Sequence, residues 1–213
     1  MDGLKTLSAL EVMQDAPVIP VIVIDKLSQA VPLAKALLAG GIRMLEVTLR
    51  TSSGLEAIRA IANEVPAVVV GVGTVRNEHQ ALEAFKAGAR FAVSPGLTLS
   101  VANACKDLGL ALLPGVSTAS EVMLAQELGF NELKFFPAVP AGGVKMLQAL
   151  GGPFTNVTFC PTGGISLANA VEFLALKNVA CVGGSWLVPP QALELEDWNL
   201  ITSLALEASR LKR

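Results

Sequence analysis

One lysine stands inside a short apolar run, Leu133-Lys134-Phe135-Phe136-Pro137, where an ammonium group has to leave water. Desolvation penalises the charged form of an amine, so such a position favours a neutral nucleophile. A neutral amine adds to ketones, which is the first requirement of a Schiff base. A strand-end lysine of a barrel more often snorkels to solvent, so the residues around it must decide between the two.

A second run supplies the partners such chemistry needs. In Met44-Leu45-Glu46-Val47-Thr48-Leu49-Arg50 a period of two puts Glu46, Thr48 and Arg50 on one face and Leu45, Val47 and Leu49 on the other. The apolar face suits a layer between strand and helix, which turns the polar face inward. There Arg50 can form a bidentate pair with the carboxylate of a 2-oxo acid, and Glu46 can shuttle protons. The competing reading is an internal Glu46–Arg50 salt bridge that merely satisfies two buried charges.

Two glycine-rich stretches, Phe159-Cys160-Pro161-Thr162-Gly163-Gly164-Ile165-Ser166 and Val182-Gly183-Gly184-Ser185-Trp186, read as turns that open helices. Glycine lets backbone N–H groups approach an anion, and a helix N-terminus adds a favourable dipole, so a phosphorylated substrate is expected. Gly71-Val72-Gly73-Thr74, Ser94-Pro95-Gly96 and Pro114-Gly115-Val116-Ser117-Thr118 end three further apolar runs and either line the same mouth or turn the chain. Ser117 or Thr118 with Glu121 reads as a helix cap and capping box rather than as catalytic.

These residues are carried by a repeating rhythm. Apolar runs at Val18 to Ile24, Met44 to Thr48, Val68 to Val72, Phe91 to Ser94, Ala111 to Pro114, Glu132 to Phe135, Thr158 to Pro161 and Val179 to Val182 predict eight strands. Helical spacing lies between them at Ser28 to Ala39, Gly54 to Asn63, Glu78 to Ala87, Leu99 to Asp107, Ala119 to Leu128, Val144 to Leu150 and Leu167 to Leu176. Gly40-Gly41, Gly88, Gly109 and Gly129 fall where a helix stops, giving a repeat of about 20 to 25 residues that matches one βα unit. No G-x-G-x-x-G turn follows the first strand, where Ile24-Asp25-Lys26-Leu27 stands, and unusual residues follow nearly every strand. The expectation is an α/β fold, a single (β/α)8 TIM barrel over residues 1–213. An extra N-terminal helix runs from Leu4 to Asp15, and the tail from Glu196 to Arg213 reads as a final helix with a basic end.

Composition excludes other classes. The 213 residues are 52% hydrophobic and 16% charged, which argues against disorder and for strands buried on both faces. The net charge of -2 with scattered Lys and Arg leaves no footprint for nucleic acid or an anionic membrane. The longest apolar runs fall short of the roughly 18 to 20 residues of a membrane span, and Met1 to Ser8 lacks a signal-peptide layout, so the cytoplasm is the expected compartment. Cys105, Cys160 and Cys181 form no C-x-x-C pair and read as buried reduced thiols. His79 is the sole histidine, so a His-rich metal site cannot be built.

Glu46-Val47-Thr48-Leu49-Arg50-Thr51, Lys134-Phe135-Phe136-Pro137-Ala138 and Cys160-Pro161-Thr162-Gly163-Gly164-Ile165 together resemble the KDPG and KHG aldolase family. The initials stand for 2-keto-3-deoxy-6-phosphogluconate and 4-hydroxy-2-oxoglutarate. Pro17 to Val23, Val70-Gly71 with Gly73-Thr74, Ser94 to Thr98, Pro114-Gly115 and Gly183 to Trp186 extend the likeness over nearly the whole chain. The resemblance implies a Schiff-base Lys134, an acid–base Glu46, and a pyruvate carboxylate held by Arg50 and Thr74. It implies Pro95, Phe136 and Thr162 around the pyruvate moiety, with the phosphate on Gly163, Gly164, Gly184 and Ser185. It also implies a homotrimer that needs no metal or organic cofactor and acts on a phosphorylated 2-oxo sugar acid. Ala138-Val139-Pro140-Ala141 departs from the family, which more often carries an acidic and a small polar residue there. Rival readings are a preference for 4-hydroxy-2-oxoglutarate or a C4-epimeric sugar acid, a phosphate-binding barrel isomerase or synthase with Glu46 as base, and a non-catalytic barrel.

Overall fold

Apolar strands separated by amphipathic helices form a parallel α/β architecture in the computed structural model, which describes residues 7–212. The part of the expected leading helix at residues 4–6, and Arg213 at the end of the expected last helix, lie outside the described residues. The chain runs α1 (Ala9–Asp15), β1 (Val18–Ile22), a 3-10 turn (Leu27–Gln29), α2 (Ala30–Ala39), β2 (Met44–Thr48), α3 (Gly54–Glu64) and β3 (Val69–Gly73). It continues through α4 (Glu78–Lys86), β4 (Phe91–Val93), α5 (Leu99–Asp107), β5 (Ala111–Leu113), β6 (Gly115–Val116), α6 (Ala119–Glu127), β7 (Glu132–Phe135) and α7 (Gly143–Gly151). It ends with β8 (Thr158–Pro161), α8 (Leu167–Leu174), β9 (Val182–Gly184), α9 (Pro190–Glu194) and α10 (Trp198–Ser209).

The strands form a six-stranded sheet, β5-β4-β3-β2-β1-β9, and a three-stranded sheet, β6-β7-β8. Isolated parallel bridges, Phe159 to Val179 and Thr162 to Gly183, join β8 to the β9 segment. This is the expected parallel order, but not the expected unbroken ladder of eight strands. The break falls at Pro114, which has no N–H to give: the fifth expected strand, Ala111 to Pro114, stops at Leu113 as β5, and an unexpected short strand, β6, follows at Gly115–Val116. Its carbonyl still accepts from the Lys134 N–H at 2.9 Å, so the chain changes sheets there.

Other limits also differ from expectation. The last strand begins at Val182 rather than Val179, because only there does the chain gain β1 as a neighbour, with Val182 donating to the Pro17 carbonyl. Gly183 and Gly184 therefore lie in a strand, not in a helix-opening turn, and the next helix starts only at Pro190. Thr118 caps α6 and completes the predicted capping box with Glu121. Among the described residues no helix is long and apolar enough to cross a membrane.

Two apolar layers follow from strand alternation. One, holding Val18, Ile22, Leu45, Val47, Val70, Val72, Leu133, Phe135, Phe159 and Val182, packs under the helices. The other lies on the opposite, inner face, where Ile19, Met44, Phe91, Val93, Leu113, Cys160 and Cys181 meet Val12 and Met13 of α1. The inner face is thus apolar near the strand starts and turns polar toward their C-terminal ends, where Glu46, Thr48 and Lys134 are buried.

Candidate active site

Alternation along β7 turns Leu133 and Phe135 to the helix layer and Lys134 to the inner face, where it is 6% exposed. Alternation along β2 does the same for Glu46, which is 3% exposed. The two side chains meet with Nζ 3.7 Å from Oε1. That separation is an electrostatic contact rather than a hydrogen bond, and Glu46 Oε1 has no hydrogen-bond partner among the described residues. The Lys134 amine also lies over the Phe136 ring, 5.0 Å from its centroid. A desolvated amine beside a desolvated carboxylate costs folding free energy, so such a pair belongs where chemistry needs it. The competing reading, a Glu46–Arg50 salt bridge, is not what forms, since Lys134 is the partner of Glu46.

Two residues beyond Lys134, and so about 7 Å further along the strand direction, Phe136 reaches the wall of a cavity of about 750 Å³. Arg50, Thr162, Gly163, Gly164 and Ser185 line the same cavity, so six of the anticipated residues, counting Phe136, share it. Lys134, Glu46, Thr74, Pro95 and Gly184 do not line it; the Phe136 ring, which does, has its centroid 5.0 Å from the Lys134 amine. The Pro95 backbone nonetheless packs on Gly115, which is the register partner of Lys134. Thr74 adopts φ +62°, a left-handed conformation that a β-branched residue holds only when its surroundings impose it. Thr48, the middle of the inward rail, donates from Oγ1 to the Ile22 carbonyl at 2.9 Å and so ties β2 to β1.

The two glycine stretches differ in what they require of glycine. Gly163 and Gly164 have φ +104° and +78°, a region glycine enters without penalty. Their carbonyls accept from Val139 N–H and Asn169 Nδ2, at 3.0 Å in each case, whereas no protein acceptor stands on their N–H groups among the described residues. Those donors are what an anion would use. Gly183 and Gly184 have no such backbone need. A side chain at inward Gly183 would collide with Thr162, and one at outward Gly184 would fall within the Trp186 ring.

Sequence reading missed the rest of the cavity. Val21, Asp25, Lys26, Gln29 and Glu194 line it as well, from the end of β1, the following turn and α9. Buried Gln29 donates from Nε2 to the Leu193 carbonyl at 2.8 Å and holds α9 against the mouth. The signal available was only positional, since residues just past a strand of such a fold tend to face the mouth.

The KDPG and KHG aldolase family model matches residues 10–204. A protein of Escherichia coli K12 named KHG/KDPG aldolase is 58% identical over 208 residues, covering 98% of this chain and 97% of that one. KDPG aldolase from Legionella pneumophila, solved with pyruvate captured at low pH as a covalent carbinolamine, superposes with a TM-score of 0.94 at 48% identity over 95% of this chain and 98% of that one. KDPG aldolase from Zymomonas mobilis, solved with 3-phosphoglycerate, gives 0.92 at 48% identity over 96% of both chains. With a buried lysine paired to a buried carboxylate, the next residue but one after that lysine lining a glycine-edged cavity, and a match that runs nearly end to end, the chain belongs to the KDPG and KHG aldolase family.

Proposed function

We propose that this aldolase cleaves 2-dehydro-3-deoxy-6-phosphogluconate to pyruvate and glyceraldehyde 3-phosphate through an imine on Lys134. The observation that carries the reading is the Lys134 amine, buried on the inner face and 3.7 Å from the Glu46 carboxylate. Lys134 attacks the C2 carbonyl, the carbinolamine loses water, and the protonated imine accepts the electron pair of the breaking C3–C4 bond. Glu46 takes the C4 hydroxyl proton as that bond breaks and later returns a proton to C3 of the enamine. Hydrolysis of the resulting imine releases pyruvate and regenerates the amine.

Arg50 and Thr74 hold the pyruvate carboxylate, and Pro95, Phe136 and Thr162 enclose the pyruvate moiety. The N–H groups of Gly163 and Gly164, with Gly184 and Ser185, receive the phosphate; their free donors and the phosphoglycerate bound by the Zymomonas relative support this. The chain acts as one domain over residues 1–213, in which the two sheets are arcs of a single closed (β/α)8 ring. The Phe159–Val179 and Thr162–Gly183 bridges and the Pro114 carbonyl support closure. The working form is a cytoplasmic homotrimer that uses no metal or organic cofactor.

A second reading, cleavage of 4-hydroxy-2-oxoglutarate to pyruvate and glyoxylate as the main activity, is favoured by the double name of the Escherichia coli relative. Steady-state kcat/KM with both substrates separates the two. The phosphorylated substrate should be preferred by about tenfold or more, one well-made anion contact being worth about 1.5–3 kcal/mol. Equal or reversed preference would move the assignment to the second reading, and unchanged turnover in Lys134→Ala would remove both.

A further inference from the structure

Glu46 is held where a side chain on the neighbouring strand would have to be. On β3 the inward positions are Val69, Gly71 and Gly73, and Gly73 pairs in register with Thr48 of β2. A Cβ built on Gly73 would lie 2.7 Å from Glu46 Cγ and 2.9 Å from Cδ, and closer still to Oε1. Gly73 has no positive φ that would explain a glycine there. Its missing side chain is the volume the carboxylate occupies.

We infer that Gly73 is the positioning residue for the acid–base carboxylate: it sets Glu46 at its 3.7 Å distance from the Lys134 amine. The inference rests on the reading of Lys134 and Glu46 given above and extends it to a residue that acts through Glu46. Gly71, two residues earlier, is the contrast. A Cβ there would meet the Phe91 ring, a rigid group of the inner apolar layer, so its glycine serves packing. At Gly73 the obstacle is a flexible side chain, so a methyl group there displaces the carboxylate and leaves the strand in place.

Glu46 Oε1 has no hydrogen bond to hold it against such a push. Relieving the contact requires a carboxylate shift of about 1 Å, and a misplacement of that size can cost about 100-fold in a catalysed step.

The test uses the full-length protein with pyruvate. Borohydride trapping measures the imine on Lys134, and exchange of the pyruvate methyl protons in D2O, followed by NMR, measures proton transfer at C3. Gly73→Ala should melt close to the parent and still trap pyruvate on Lys134 at saturation, but exchange methyl protons about 100-fold more slowly. Shortening the acid by one methylene makes room again, so Gly73→Ala combined with Glu46→Asp should exchange at least about tenfold faster than the product of the two single effects predicts. Exchange within about threefold of the parent in Gly73→Ala, equal loss of trapping and exchange, or strict independence of the two substitutions would overturn the inference. A parent protein that forms no adduct fails earlier, at the Lys134 assignment, and takes the inference with it.

Discussion

Replacing the buried pair with apolar side chains should make the protein more stable while abolishing its chemistry. Lys134 and Glu46 are 6% and 3% exposed, with charges 3.7 Å apart. At an effective dielectric of about 20 their attraction is about 4.5 kcal/mol. Removing each ion from water costs several kcal/mol, so two such penalties exceed that attraction. Glu46 Oε1 accepts no hydrogen bond that would offset the deficit. The double variant Lys134→Met, Glu46→Leu is therefore expected to gain about 1–4 kcal/mol, and its melting temperature should rise by about 2–4 °C for each of those kcal/mol. Lys134→Met alone leaves a buried carboxylate uncompensated and should lose about 3–5 kcal/mol near neutral pH. Urea and thermal unfolding of the parent, both single variants and the double variant close the cycle. A double variant less stable than the parent would refute the reasoning, because the pair would then be a net source of stability.

Two smaller effects follow from groups away from the cavity. Burial pushes the Glu121 carboxyl up, but hydrogen bonds from the backbone and hydroxyls of Ser117 and Thr118 outweigh it and hold the group below its ordinary value of 4.5. A lowered folded value gives stability that is present above about pH 4.5 and lost as pH falls through the folded value. Glu121→Ala should thus lower stability at pH 7 in urea unfolding, and the gap from the parent should close in acid. Burial pushes the Cys105 thiol up to about 11, so a thiol-specific reagent at pH 8 should modify Cys105 only after the protein is unfolded, as read by peptide mass.

What could be read from the sequence was local. The alternation that turns Glu46 and Thr48 inward is a pattern of period two that β2 keeps, as β7 does for Lys134, while Arg50 lies in the turn just past the end of β2. The Thr118–Glu121 capping box is likewise a spacing of three residues, and it forms. What failed to show depended on contacts between distant segments. Gly183-Gly184 looks like a turn in sequence, yet its glycines answer to Thr162 on one face and Trp186 on the other. Gly73 looks like one more strand end until β2 lays Glu46 against it. The wall formed by α9 depends on a hydrogen bond between Gln29 and Leu193, 164 residues apart, and its five-residue helix is too short to show a period. The break at Pro114 was visible as a proline, but nothing local says that two sheets part there.

The central claim is that the Lys134 amine forms the imine, and intact mass after incubation with pyruvate and borohydride tests it most directly. The account predicts a single reduced pyruvyl adduct per chain, which peptide mapping places on Lys134 and which Lys134→Ala lacks. An unmodified parent protein, or an adduct on another lysine with Lys134 untouched, would contradict it.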